Sequence, residues 1–416
     1  TSMASAQYTE TIQESFAAES EVNIRHRRGP IKVIKASDGK VSYEASIRFD
    51  AANETEAQKL KKALKVNAGS KAGRIDILST AEIKNMRTIN GRSTIELNDG
   101  TKIKGIKKLR IELVVKVPDV KILKVDSRYH EVEIDVGVSE LLTVNTYSAE
   151  IDIADIKGDL ELADKYSKGT VGSFKNAKME LYESKIQFGS GQEAQINAKY
   201  STLRFPQLAA LATESYESKF YIGPVKGKME INDKYSKFEF GDIQDALIDI
   251  YESDITAGNV QNVQIKSKYA DLRFTSVQEI NFASSYEDEF TAREVGSLRA
   301  ANSKYGVFKM EKLTNTIEFD SYEDNITVES PTSSLEAIRI KGKYTNLNCP
   351  LSSSTKFMLN MEGRYGSIDL DEDDLDYTTY IKKGDTLKLA GKRNNATEAD
   401  AKIEFNCYEC KIRLKN

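Results

Sequence analysis

Lysine, tyrosine and glutamate recur in two side-by-side columns from the middle of this chain onward, and they are the side chains with the most chemistry to offer. One column reads Lys165, Tyr182, Lys199, Tyr216, Lys234, Tyr251, Lys268, Tyr286, Lys304, Tyr322 and Lys343. Its neighbour reads Tyr166, Glu183, Tyr200, Glu217, Tyr235, Glu252, Tyr269, Glu287, Tyr305, Glu323 and Tyr344. An ammonium over a phenol ring makes a cation–π contact, and a row of phenols offers sugar rings a face to stack on. There is no Trp to do the latter better. Acidic residues recur in every rung at outward strand positions, but none forms a pair that stands out as the acid and base of a glycosidase.

The remaining reactive groups are few. His26 and His130 read as surface bend residues, and Arg25, Arg27 and Arg28 as a solvated bend before the strand-like Ile31-Lys32-Val33-Ile34. Cys407-Tyr408-Glu409-Cys410 spans a bend, which leaves both free thiols and a short-range disulfide open, whereas Cys349 falls in an inward column and reads as a small hydrophobe. The acidic run Asp371-Glu372-Asp373-Asp374-Leu375-Asp376 lacks the ligand spacing of a calcium loop and reads as solvated, as does the polar stretch from Gly391 to Ala396. No phosphate-binding loop, dinucleotide fingerprint or nucleophile elbow occurs. No catalytic residue, metal or cofactor is expected.

What must position the columns is a repeat. An apolar residue recurs at Ile186, Leu203, Phe220, Phe238, Ile255, Leu272, Phe290, Phe308 and Ile326, at intervals of 17 or 18. A second follows two positions later, as in Phe238/Phe240 and Leu272/Phe274, which is a strand with one buried face. Two positions before each core residue stands a small or turn-prone residue such as Ser218, Ser236 or Ser253, read as the place where the chain corners. Such units predict an all-β chain, a parallel β-solenoid (β-helix) of 17–18-residue rungs. If one rung is one coil, each ammonium lies between two phenols ~4.8 Å above and below. A 35-residue coil would instead stack Lys on Lys and Glu on Glu, so the small coil is preferred.

Residues 1–20 read as a lead-in, with Ala4-Ser5-Ala6 in the form of an export-signal remnant. Residues 21–120 carry longer strands and one short helix near 54–65, where Asn53 and Glu56 have capping-box spacing; they read as an N-terminal β cap covering the first coil. Residues 121–370 form the regular solenoid. Residues 371–416 form irregular rungs and a C-terminal cap in which the last strand closes the ladder. With 60 basic against 64 acidic residues and a net charge of −4, no footprint for nucleic acid is present, and no apolar run reaches transmembrane length.

The run Asp126-Ser127-Arg128-Tyr129-His130-Glu131-Val132-Glu133-Ile134, followed by Ser-Lys-Tyr and Ser-Tyr-Glu rungs, resembles the DUF4097 adhesin-like proteins of Bacteroidota. Arg27-Arg28-Gly29-Pro30-Ile31-Lys32-Val33 departs from that family's Asn-Lys-Tyr-Gly-x-Ile-x-Ile opening. The resemblance implies an exported protein of the periplasm, outer membrane or cell surface, with no catalysis. The expected function is adhesin-like or scaffolding, binding an envelope protein or glycan through the solenoid walls, with peripheral outer-membrane association. Two other functions stay open: a polysaccharide-degrading β-helix enzyme, and an accessory subunit of an outer-membrane complex.

Overall fold

The computed structural model describes residues 6–79, 82–370 and 375–415. Parallel strands stack coil on coil, and the chain is an all-β parallel solenoid. In the regular stretch each strand advances to its neighbour by 17 or 18 residues: Lys237 lies beside Asp254, Asp254 beside Asp271, and Asp271 beside Glu289. One rung is therefore one coil, and the 35-residue alternative is excluded. The chain divides into two compact units, 1–206 and 207–416.

In the first unit, strands Glu21–His26 and Ile31–Lys35 form the first coil. They pair in parallel with Val120–Arg128 and Glu131–Asp135 on one side and with Arg74–Ser79 and Lys102–Val117 on the other. The cap is thus an excursion made after the first coil is laid down. Its antiparallel strands Ala6–Ala17 and Lys40–Ala51 build outward from Lys102–Val117. The helix Glu54–Ala63 begins where the Asn53 side chain accepts from the Glu56 backbone N–H at 2.9 Å, and it buries Ala57, Leu60 and Leu64.

The core is a stack of like residues. Ile186 lies against Leu203 in the first unit. In the second, Phe220, Phe238, Ile255, Leu272, Phe290, Phe308 and Ile326 follow one another in register, all buried. Phe220 and Phe238 stack at 4.7 Å between ring centroids. Gly169, where this column would otherwise carry a side chain, sits at φ +149°, and a Cβ there would come within 1.9 Å of the Ile151 carbonyl oxygen. Only glycine fits that approach.

The C-terminal end is threaded differently from the sequence reading. The last segment, Ala401–Tyr408 with Lys411–Arg413, does not close the ladder. It inserts between Ala337–Lys343 and Phe357–Arg364, so Ile412 lies between Leu347 and Ile368. The outermost coil is covered by the antiparallel strands Thr386–Arg393 and Leu375–Lys383. An antiparallel hairpin closes a raw edge that another parallel coil would only reproduce. Gly391, Lys392 and Arg393 belong to that hairpin rather than to a polar loop. Residues 371–374 of the acidic run lie outside the described residues. Among the described residues no helix is long and apolar enough to cross a membrane.

Candidate functional site

The two columns meet at the corner that ends each long strand. Within the first unit Arg128, Tyr147, Lys165, Tyr182 and Lys199 are successive register partners. Within the second the sequence is Tyr216, Lys234, Tyr251, Lys268, Tyr286, Lys304, Tyr322, Lys343, Tyr408 and Arg364. Cation and phenol alternate to the end only because Tyr408 inserts between Lys343 and Arg364. In chain order the alternation would break there.

The corner residue itself is the next one along. Tyr129, Tyr166, Glu183, Tyr200, Glu217, Tyr235, Glu252, Tyr269, Glu287, Tyr305, Glu323, Tyr344, Tyr365 and Glu409 all have φ between +46° and +69°. The chain therefore corners one residue earlier than the serine column suggested. A left-handed conformation costs a non-glycine residue ~1–2 kcal/mol. The ladder recovers a hydrogen bond at each corner: Glu183 N–H donates to the Lys199 carbonyl at 2.9 Å, and Tyr235 N–H to that of Tyr251 at 3.0 Å.

Ring meets ring outside the corner. The expectation of an ammonium between phenols is met at Lys268, whose Nζ lies 5.9, 4.7 and 4.8 Å from the rings of Tyr251, Tyr269 and Tyr286. The recurrent contact is different: a corner tyrosine leans against the tyrosine of the other column in the adjacent coil. The zigzag Tyr129, Tyr147, Tyr166, Tyr182, Tyr200 has centroids 5.3 to 5.5 Å apart and rings near perpendicular. In the second unit it runs Tyr216, Tyr235, Tyr251, Tyr269, Tyr286, Tyr305, Tyr322, Tyr344, Tyr408, Tyr365 at 5.4 to 5.7 Å. Edge-to-face pairs contribute ~0.5–1.5 kcal/mol each, comparable with the corner strain. Tyr166 and Tyr200 are 43% exposed and Tyr235 40%. Hydrogen bonding to the following glutamate raises the phenol pKa of Tyr251, Tyr286 and Tyr322.

The serine column is a buried hydrogen-bond ladder that sequence reasoning took for a steric convenience. Ser218 N–H donates to Ser236 Oγ at 2.9 Å, and Ser184 N–H to Ser201 Oγ at 3.1 Å. Hydroxyls of the column that meet no aspartate donate back to the carbonyl two residues earlier, Ser218 Oγ to Tyr216 at 3.0 Å and Ser201 Oγ to Lys199 at 2.9 Å. Four aspartates lie buried in this ladder. Asp164 accepts from Thr146 Oγ1 at 2.6 Å and Ser184 Oγ at 2.5 Å, and Asp233 from Ser253 Oγ at 2.6 Å. Asp288 accepts from Ser267 and Ser285 at 2.6 Å each and from Ala270 N–H at 2.8 Å, and Asp324 accepts from Ser321 at 2.6 Å. Burial pushes the Asp288 and Asp324 carboxyls above the usual range against those hydrogen bonds. The recurrence of hydroxyls in a column between apolar strands was the available signal.

Other sequence candidates fall elsewhere. His26 is fully buried rather than at a surface bend, because it stands in the inward column beside Ser127. Its Nδ1 lies 2.6 Å from Ser79 Oγ, and desolvation pulls its pKa down to about 4. His130 is half-buried at the first bend. Cys407 and Cys410 are free, buried thiols, and Cys410 takes the serine place in the ladder, with Sγ 3.7 Å from the Tyr408 carbonyl oxygen. Burial pushes the Cys349 thiol up to about 12. No group of metal-ligating side chains occurs among the described residues.

A shallow groove flanks the corner in each unit. In the first it is lined by Tyr147, Tyr182, Lys165, Lys199, Asn145 and Asn197. In the second it is lined by Tyr322, Tyr408, Lys304, Lys343, Asn302 and Asn406.

No family model matches the chain, and no curated protein matches it. Among solved structures it is similar to a candidate adhesin from Bacteroides fragilis at 11% identity, over 72% of this chain and 96% of that one, with a TM-score of 0.22. A candidate cell adhesion protein from Clostridium sporogenes matches at 9% identity over 98% and 99%, with a TM-score of 0.16. A candidate lipid-binding protein from Parabacteroides distasonis matches at 9% over 82% and 96%, with a TM-score of 0.20. Superpositions this loose leave the functional reading to the surface of this chain.

Proposed function

We propose that this is a non-enzymatic, exported, adhesin-like protein of the cell envelope that holds a glycan against its tyrosine corner. One observation carries the reading. The second unit presents ten tyrosines in a continuous zigzag, ring edge to ring face, held from behind by a buried ladder of hydroxyls and carboxylates. Rigid, partly exposed phenols at a constant rise give a linear ligand repeated stacking sites without further ordering of the protein. The buried carboxylates Asp288 and Asp324 face inward and are occupied by serine hydroxyls, a position from which they serve the ladder and not a substrate. A glycan array, read alongside an assay for released reducing ends, tests this. Binding without release is expected, with Tyr235→Ala/Tyr251→Ala weakening it. Release of reducing ends would replace the adhesin with an enzyme.

A further inference from the structure

The lysines of the corner recur at a fixed interval. Lys234, Lys268, Lys304 and Lys343 recur every second coil of the second unit, and no carboxylate lies within ion-pair distance of any of them among the described residues. Lys304 and Lys343 line the groove beside this corner, and the carboxylates that share it are already paired: Asp320 with Lys341 at 2.9 Å and Glu362 with Lys388 at 2.8 Å. Corner glutamates such as Glu252 and Glu287 stand one residue further along, on the corner itself, and form no ion pair with these lysines. The groove thus offers Lys304 and Lys343, two cations without an ion pair, with the ring of Tyr322 in the coil between them and the asparagine amides of Asn302 and Asn406 beside them. Two coils advance ~9.6 Å, a distance an extended disaccharide unit spans.

We propose that this groove binds a linear acidic polysaccharide carrying one carboxylate per disaccharide. The acid sugar of each unit meets a lysine, and the neutral sugar lies on the intervening tyrosine. The proposal rests on the glycan reading above and adds the charge and the period of the ligand. A fully charged polymer would force carboxylates onto the phenols, and a neutral one would leave the lysines unused.

The test is calorimetric titration of the whole chain with hyaluronan fragments, in which glucuronate alternates with N-acetylhexosamine. Polygalacturonate fragments, charged at every sugar, and neutral chitin fragments serve as comparisons. Hyaluronan should bind most tightly. Lys304→Ala/Lys343→Ala should weaken it about tenfold, equivalent to ~1.4 kcal/mol, while Lys304→Arg/Lys343→Arg keeps it. Lys309→Ala/Lys312→Ala, on paired cations elsewhere, should leave it unchanged. Raising salt from about 0.01 to 1 M, which shortens the screening length from ~30 to ~3 Å, should weaken it further. Chitin binding that ignores the lysine variants would overturn this inference and leave the glycan reading standing. Equal affinity for polygalacturonate would overturn the alternation. Failure of every glycan to bind would overturn both readings.

Discussion

On the wall of short strands that follows the corner, several cations are paired with a neighbouring carboxylate. Lys237 meets Glu239 at 2.9 Å, Lys309 meets Glu289 at 2.9 Å, and Lys168 approaches Glu150 at 3.6 Å. A few residues earlier in the same rungs, Lys234 and Lys304 stand between tyrosines with no carboxylate at ion-pair distance among the described residues. Interiors differ as well. Behind the wall lies a dry stack of Phe220, Phe238 and Ile255, whereas behind the corner lies a polar ladder of Ser218, Ser236 and Asp233. Stacking alone explains the wall, since like residues in register bury apolar area and oppositely charged neighbours pair. It leaves unexplained a surface that keeps its cations unpaired and its aromatics half-exposed over a scaffold rich in buried hydrogen bonds.

The comparison breaks first at the wall's interior. Phe238→Asp places a carboxylate in a dry column with no partner, and a loss of ~3–5 kcal/mol is expected, enough to unfold the second unit. Unchanged chemical denaturation would mean that the column is not the core. The next largest effect belongs to the polar interior and depends on pH. His26 has a folded pKa near 4 against an ordinary 6.5, so its neutral form is the one the fold accepts. Its stabilisation is fully present above pH 6.5 and is lost as pH falls through the folded value, roughly 3 kcal/mol in all. Hydrogen exchange at the amides of Glu21–His26 and Arg74–Ser79 should accelerate over that window. In His26→Gln the acceleration over the same window should be smaller.

Legibility followed the same division. The wall could be read directly because burial with period two and rung spacing of 17 or 18 write Phe238, Ile255 and Leu272 into the sequence as a pattern. The columns of Lys304 and Tyr322 were visible for the same reason. What the tyrosines touch was not visible, because the zigzag depends on left-handed corners, and neither Tyr235 nor Glu252 advertises a positive φ as glycine would. The insertion of Ala401–Tyr408 ahead of Phe357–Arg364 was hidden in chain order, although the alternation of Lys343, Tyr408 and Arg364 in space would have required it. Burial of His26 was missed because its arginine neighbours point outward while it points in.

A smaller effect separates hydrogen bonding from steric ease in the serine column. Ser236→Ala adds no bulk and removes the acceptor for Ser218 N–H, and an unsatisfied buried donor costs ~1–3 kcal/mol. Ser236→Cys, which copies what Cys410 does at the other end, should cost less than half of that. If alanine and cysteine are equally mild by urea denaturation, the column is only a place where the chain turns.

The smallest effect is the most telling for the contrast between paired and unpaired cations. Lys237→Ala removes a solvent-exposed ion pair, and such pairs contribute ~0–1 kcal/mol that salt screens away. Lys234→Ala removes a cation with no carboxylate to lose, so stability should be unchanged or slightly raised, with no dependence on salt. A cation that the fold does not use for its own stability stays available to the proposed ligand. Were Lys234→Ala to destabilise the chain by 1 kcal/mol or more on the scale of those exposed pairs, the lysine would be part of the stack, and the distinction between wall and corner would lose its functional meaning.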